Sequence, residues 1–528
     1  MSGSARWSVD FYDLMAPVAL IEVSGLEWFG GVGERAVRNG ARHGTPILSP
    51  PAGVRPDPRI NLFFRTGSMA GASPATWRRY AYSLAVWLDF LSVFDRCWDK
   101  ASVGDVEAFK DWRLTDVLNG GRIRPTSFDT DRAALNCFYG WAATRCKVVN
   151  PVATIRTGRR PNRRGGLADG SGLGGRDPLR PAGATRRQVK WMLRPAFEQW
   201  RDIGLRGYGF DGLRRSEWRG YNEDRDTAFV DGLYGTGLRL QEWASILDVE
   251  VPSAVGPRSA RLWLSAACIK GGGEGRVYRI PRPALTAVHA YLDPLEGSRA
   301  EVIRRARRAG RYADLAGIRV VTAYNARSKT LRVQGDACSE LLPLDVIGPD
   351  ERRRLFRATS EGLEPLAVWL APNGMPKKAH GWEDTFGDAN ARVERAWRGD
   401  TVDADSEHMP CPLWARPHML RHSFCLKWFC VLSLVWELRV NGFTSEELKD
   451  LREQFGDIWY QLATLMGHAT ASTTRDYYLE PFTGLQVDYL MSLLDEDEKT
   501  GIDALVRAVA QDTGQVLTEV PALPGDGR

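Results

Sequence analysis

Residues 465–478 read LMGHATASTTRDYY. Gly467-His468 closes an apolar run whose spacing predicts a helix over 458–466. Glycine suits that place because it tolerates the left-handed backbone just past a helix end. Thr473 or Thr474 can begin a following helix, since hydroxyl side chains cap the free N–H groups of a first turn. Tyr477 then stands nine residues after His468, with Tyr478 beside it. A tyrosine is ordinarily a core residue, so its meaning depends on what the rest of the chain supplies.

Upstream, residues 418–422 read HMLRH, with His418 and Arg421 on one helical face. Histidine offers a hydrogen bond or a proton near neutral pH. Arginine offers a planar fork that matches phosphate oxygens. Further back, 236–242 reads TGLRLQE. Its glycine turn breaks the helical pattern of 227–247 and sets Arg239 at a helix start, where Glu242, three residues on, can orient the guanidinium. Between these segments, the β-type runs 261–269 and 276–281 flank Gly271-Gly272-Gly273 and read as a hairpin with Lys270 at its tip. Each piece alone is an ordinary surface feature. The ordered series Arg, Lys, His-x-x-Arg, Gly-His, Tyr is not.

On these motifs the chain resembles the tyrosine recombinase (phage integrase) family. The resemblance covers 188–482 as a catalytic domain and extends more loosely to 73–155 as a helical core-binding domain. It implies a mainly α fold with a small β-sheet or hairpin: a helical, SAM-like DNA-binding domain joined to a mixed α+β catalytic domain. It also implies a site-specific DNA recombinase that cuts and rejoins strands through a 3′-phosphotyrosyl link. In that scheme Tyr477 is the nucleophile, favoured over Tyr478 by the family's spacing. Arg239 and Arg421 clamp the phosphate, His418 and His468 add hydrogen bonds, Lys270 protonates the leaving oxygen and Glu242 supports Arg239. Arginines and a lysine stand in for the metal ions of many nucleases, so neither metal, cofactor nor ATP is expected. The implied partner is double-stranded DNA, held by a homo-tetramer on two DNA sites, with room for accessory recombination proteins. The alternative is a catalytically silent, sequence-specific DNA-binding protein of the same fold.

The chain departs from the family pattern in its extra segments. Stretches near 295–410 and 438–461 look inserted, and they lean the reading toward the integrase or transposase of a mobile element rather than a compact housekeeping resolvase. The expected divisions are an N-terminal extension (1–68) without an assignable role, the helical domain (69–155), a basic linker (156–185), the catalytic domain (186–482) and a helical tail (483–528). The tail can dock in cis or on a neighbouring protomer. The segment 295–410 is poorly patterned and reads as a basic helix over 299–311 with loops.

Composition sets the outer bounds. The 528 residues carry a net charge of +6, which permits an anionic partner without demanding one. The excess is local: 156–187 holds nine arginines against Asp169 and Asp177. Arg159, Arg160, Arg163 and Arg164 in that stretch, with Arg78, Arg79 and Arg132 in the helical domain, are the candidate phosphate contacts. Eight cysteines without a CxxC pair argue against both a disulfide framework and a zinc site. The N-terminus, with Asp10 and Asp13, has no signal core. The apolar run 424–440, interrupted by Lys427 and Glu437, is short for a membrane span and reads as a buried helix. The expectation is a soluble, cytoplasmic, nucleoid-associated protein.

Overall fold

The computed structural model describes residues 6–14, 36–152, 190–253, 258–270, 273–313, 315, 317–334, 339–401, 411–440, 457–468, 470, 471, 474 and 516–518. They divide between two compact units, Met1–Arg187 and Gln188–Arg528. The architecture is mainly α with small sheets. Among the described residues no helix is long and apolar enough to cross a membrane.

The first unit is a helical bundle. Its helices are α1 (Pro58–Phe63), α2 (Pro74–Val93), α3 (Val103–Leu114) and α4 (Pro125–Cys146). The Ser73-Pro74 pair starts α2: the Ser73 hydroxyl accepts from the Thr76 N–H, and Pro74 fills the first turn, where no N–H is needed. Leu84, Trp87, Leu88 and Leu91 are buried at the expected helical spacing. Trp87 Nε1 donates to Tyr139 Oη (2.9 Å), which donates to the Trp98 carbonyl (2.9 Å), so the buried polar atoms linking α2, α4 and the intervening turn are satisfied. The apolar series Val106, Phe109 and Val117 hints at one helix, but Val117 lies past the end of α3 and is exposed.

Residues 6–63 have a role that the sequence reading left unassigned. Strands β1 (Ser8–Phe11) and β2 (Pro46–Ser49) pair antiparallel. The Asn61 side chain accepts from the Leu48 N–H (2.7 Å) and donates to its carbonyl (2.9 Å), pinning β2 to α1. Leu48, Ile60, Phe63 and Phe64 join the bundle core. Their apolar runs are too short to show a period, and their partners lie far along the chain.

In the second unit, α5 (Arg194–Arg206), α6 (Glu223–Thr236) and α7 (Leu240–Ala244) precede the antiparallel hairpin β4 (Ser259–Leu264) and β5 (Arg276–Pro281). Then come α8 (Arg282–Leu292), α9 (Ser298–Arg308), five strands, α10 (His380–Thr401), α11 (Pro417–Val440) and α12 (Ile458–Met466). Numbering β3 as Lys190–Met192, the five strands are β6 (Arg319–Asn325), β7 (Thr330–Val333), β8 (Glu340–Pro343), β9 (Leu355–Thr359) and β10 (Gly362–Pro365). β11 (Val516–Thr518) pairs parallel with β3. The core centres on aromatic contacts between elements far apart in sequence. Phe229 of α6 stacks on Trp382 of α10, and both meet Trp369.

Three local expectations are corrected. The sequence of 188–200 predicts a helix, but the helix begins only at Arg194, with Pro195 in its first turn, because 190–192 is strand. The run 261–269 is strand only to Leu264. There Asp345 accepts from Trp263 Nε1 (2.8 Å) and the Ala266 N–H (3.2 Å), and a 3-10 turn over Ala266–Cys268 follows. The segment 295–410, expected to be a basic helix and loops, contains the basic helix as α9 but also a five-stranded sheet of order β10-β9-β6-β7-β8 and the 22-residue α10. Each of these strands has only four to seven residues. Such strands leave no alternation long enough to recognise in sequence.

Candidate active site

Four chain segments converge: the turn between α6 and α7, the start of β5, the first turns of α11, and the end of α12. Gly237 turns the chain with φ +64°, and a Cβ there would overlap Phe424 of α11. Glycine is therefore required both for conformation and for close approach. The turn delivers Arg239 to the N-cap of α7. The Glu242 carboxylate reaches back to it twice, accepting from the Arg239 backbone N–H (2.9 Å) and from Arg239 Nη1 (2.9 Å). Glu242 is 1 % exposed. Burial alone would raise its pKa. The Arg276 charge, the Arg239 N–H and the Arg421 and Arg239 charges outweigh that and hold the carboxyl below its ordinary range.

Pro417 opens α11, with His418 exposed in the first turn and Arg421 one turn deeper, 1 % exposed. The Arg421 guanidinium donates to the carbonyls of Gly237 and Met466, the latter at 2.7 Å. Both carbonyls belong to helix C-termini, where the backbone dipoles leave partial negative charge. A buried cation is thus supported by two backbone carbonyls.

Gly467, φ +65°, ends α12 and brings in His468, whose N–H bonds the Ala463 carbonyl at 2.9 Å. Arg421 Nη2 lies 3.0 Å from His468 Nε2, and His468 Nδ1 lies 2.7 Å from Thr474 Oγ1. Arginine can only donate, so Nε2 accepts and the ring proton sits on Nδ1. Burial, then Arg421, Arg239 and Arg276, drive the His468 pKa down to about 3, against the opposing pull of Glu242. The ring is neutral at neutral pH. His422, edge-on to His418 with ring centroids 4.6 Å apart, is likewise lowered to about 3, chiefly by burial.

Arg239, His418 and Arg421 line one cleft of about 610 Å³, together with Arg416 and, from α10, Glu383 and Asn390. Asn390 fixes the approach to α11. Its amide donates to the Ala415 carbonyl (2.9 Å) and accepts from the Ala415 N–H (2.9 Å). Arg416 lies over the Trp414 ring at 5.4 Å. Three arginines face a space in which Glu383 is already engaged by His380 (2.8 Å). Such a cleft suits an anion with several oxygens.

Lys270 occupies an exposed turn beyond β4 and enters none of the hydrogen bonds just described. Tyr477 and Tyr478 lie outside the described residues, as do Arg159, Arg160, Arg163 and Arg164. Arg78 and Arg79 are exposed on α2, Arg78 over the Phe11 ring at 5.2 Å. Arg132 is half-buried on α4 and paired with Asp129 at 2.8 Å. Sequence reasoning missed Arg276, Arg416 and Asn390. Each sits in a stretch whose local pattern is that of an ordinary strand, loop or helix face.

No protein-family model matches the chain, and no curated protein matches it. Solved structures similar to it include the XerH site-specific recombinase bound to palindromic difH substrate in a post-cleavage complex. The identity is 11 %, with 83 % of this chain and 84 % of that chain covered, at a TM-score of 0.40. The XerA recombinase shows 13 % identity over 80 % of this chain and 92 % of that one, at a TM-score of 0.27. The Tn1549 transposon integrase in complex with transposon right end DNA shows 13 % identity over 80 % and 94 %, at a TM-score of 0.37.

Proposed function

We propose that the protein is a tyrosine-type site-specific DNA recombinase, the integrase or transposase of a mobile element. The observation that carries this reading is the convergence of Arg239, His418 and Arg421 on one cationic cleft, with His468, from a third distant segment, bonded to Arg421. A phosphodiester resists attack because it is anionic and its leaving alkoxide is poor. Fixed positive donors around the non-bridging oxygens lower that barrier as charge develops.

In this scheme Arg239 and Arg421 grip the phosphate. The Tyr477 oxygen attacks phosphorus and gives up its proton to His418, a P–O bond to tyrosine forms, and the bond to the 5′-oxygen breaks. Lys270 hands that oxygen a proton. The phosphotyrosyl link conserves the bond, so the 5′-hydroxyl of another strand reverses the step on a new partner. His468 contributes a hydrogen bond to the site. Exchange between two duplexes needs four such sites, hence a homo-tetramer on double-stranded DNA.

The test is incubation of the full chain in EDTA with nicked duplexes copied from the DNA that flanks its own gene. A protease-sensitive protein–DNA adduct that vanishes in Arg239→Ala and Arg421→Ala is expected. Tight binding of that DNA with no adduct would instead identify a catalytically silent binder.

A further inference from the structure

Arg276 belongs to none of the motifs, yet it touches two of them. It opens β5, opposite Leu264 of β4. Its Nη2 donates to Glu242 Oε2 at 3.1 Å and reaches the Met466 carbonyl at 3.5 Å. The rest of its head lies so close to Gly467 that a Cβ there would overlap it. The side chain is 16 % exposed against 28 % for Arg239, and it is not among the described residues lining the cleft. Glu242 therefore sits between two arginines, one facing the cleft and one behind.

That arrangement has an electrostatic consequence. A single buried carboxylate against a single arginine is a neutral pair. Drawing Arg239 toward a phosphate would then strip a buried charge of its partner, which is strongly unfavourable. With a second guanidinium fixed on the far side, Glu242 stays compensated while Arg239 leans outward, and the pair of arginines keeps a net positive charge for the cleft. The same residue braces the Met466–Gly467 turn that presents His468.

We propose that Arg276 is a positioning residue for phosphate activation: it holds the Glu242 carboxylate and the Met466–Gly467 turn, leaving the charge of Arg239 free for the phosphodiester. This rests on the recombinase reading given above. The test uses the full chain, the nicked duplex copied from DNA flanking its gene, and separate measurements of DNA affinity and of adduct formation at saturating DNA. Arg276→Ala is expected to slow adduct formation about 100-fold, the scale of losing one transition-state donor, with affinity changed no more than about 3-fold. Arg276→Lys, which keeps a cation against Glu242, recovers most of the rate and carries the test should the alanine variant not fold. In a Glu242→Gln background, either Arg276 substitution adds little further loss, because the two act as one unit.

Arg276→Ala reacting at the wild-type rate would overturn the inference. So would a loss confined to affinity, or losses at Arg276 and Glu242 that simply multiply. Wild type forming no adduct would remove the recombinase reading and this role with it; wild type forming adduct while the Arg276 variants match it would remove the role alone.

Discussion

At the scale of single residues, the site is a set of charges whose states are fixed by what they touch. His468 accepts from Arg421 on one nitrogen and bonds Thr474 on the other, and a ring so placed has no room for a second proton. The linkage runs in one direction. The unfolded chain protonates this histidine near its ordinary value of 6.5, the folded chain only near 3, so its share of stability is whole above pH 6.5 and is lost as pH falls toward 3. His422 behaves alike. Urea unfolding across this window should therefore show stability falling by up to about 1.4 kcal/mol per pH unit for each of the two histidines. His468→Gln should remove about half of that slope, and an unchanged slope would contradict the assigned states. Lys270 carries a different kind of prediction. If it protonates the leaving 5′-oxygen, Lys270→Ala should be slow on ordinary DNA but restored with a bridging 5′-sulfur, a leaving group that needs no proton. Equal defects on both substrates would assign the lysine to binding.

At the scale of elements, helix ends do the positioning. Gly237 and Gly467 each turn the chain in the left-handed region, and each is packed against a residue that a methyl group would strike, Phe424 in one case and Arg276 in the other. Gly467→Ala should cost about 1–2 kcal/mol for the backbone alone and more for displacing Arg276. Chemical denaturation reads the cost, and adduct formation should fall with it. A neutral substitution would mean that the turn is not tightly held. These ends were legible in sequence because Ser73-Pro74, the glycine turn at 235–237 and Gly467-His468 are local signals whose cause lies within a few residues. Arg239 and His468 stand beside such glycine turns and His418 in the first turn of α11, while Arg421, one turn deeper, was legible only by its helical spacing from His418. The sheet β6–β10 and α10 were not. The strands are too short to show an alternation, and the aromatic contacts that define α10, Trp382 on Phe229 among them, join segments about 150 residues apart. Arg276 was hidden likewise: nothing in its own strand announces that its partner is Glu242.

At the scale of the whole chain, the two compact units are organised differently: a helical bundle with the β1–β2 strand pair, and a larger α+β body carrying the cleft. Between their described portions runs the arginine-rich stretch, whose expected job is to track a phosphate backbone. That job has a thermodynamic signature. Each phosphate contact releases condensed counterions, so the affinity for duplex DNA should fall steeply with salt, by about 0.9 in log–log slope per contact. Replacing Arg159, Arg160, Arg163 and Arg164 together with alanine should flatten the slope by about 3 to 4. An unchanged slope would make the stretch a solvated connector.

The proposed recombinase breaks DNA by making a bond to Tyr477. The most direct measurement is to trap wild type and Tyr477→Phe on the nicked duplex in EDTA, digest the adduct, and locate the nucleotide-bearing peptide by mass spectrometry. A phosphotyrosyl peptide carrying Tyr477 is expected from wild type and no adduct from Tyr477→Phe. An adduct that persists in Tyr477→Phe, or maps to Tyr478, would contradict it.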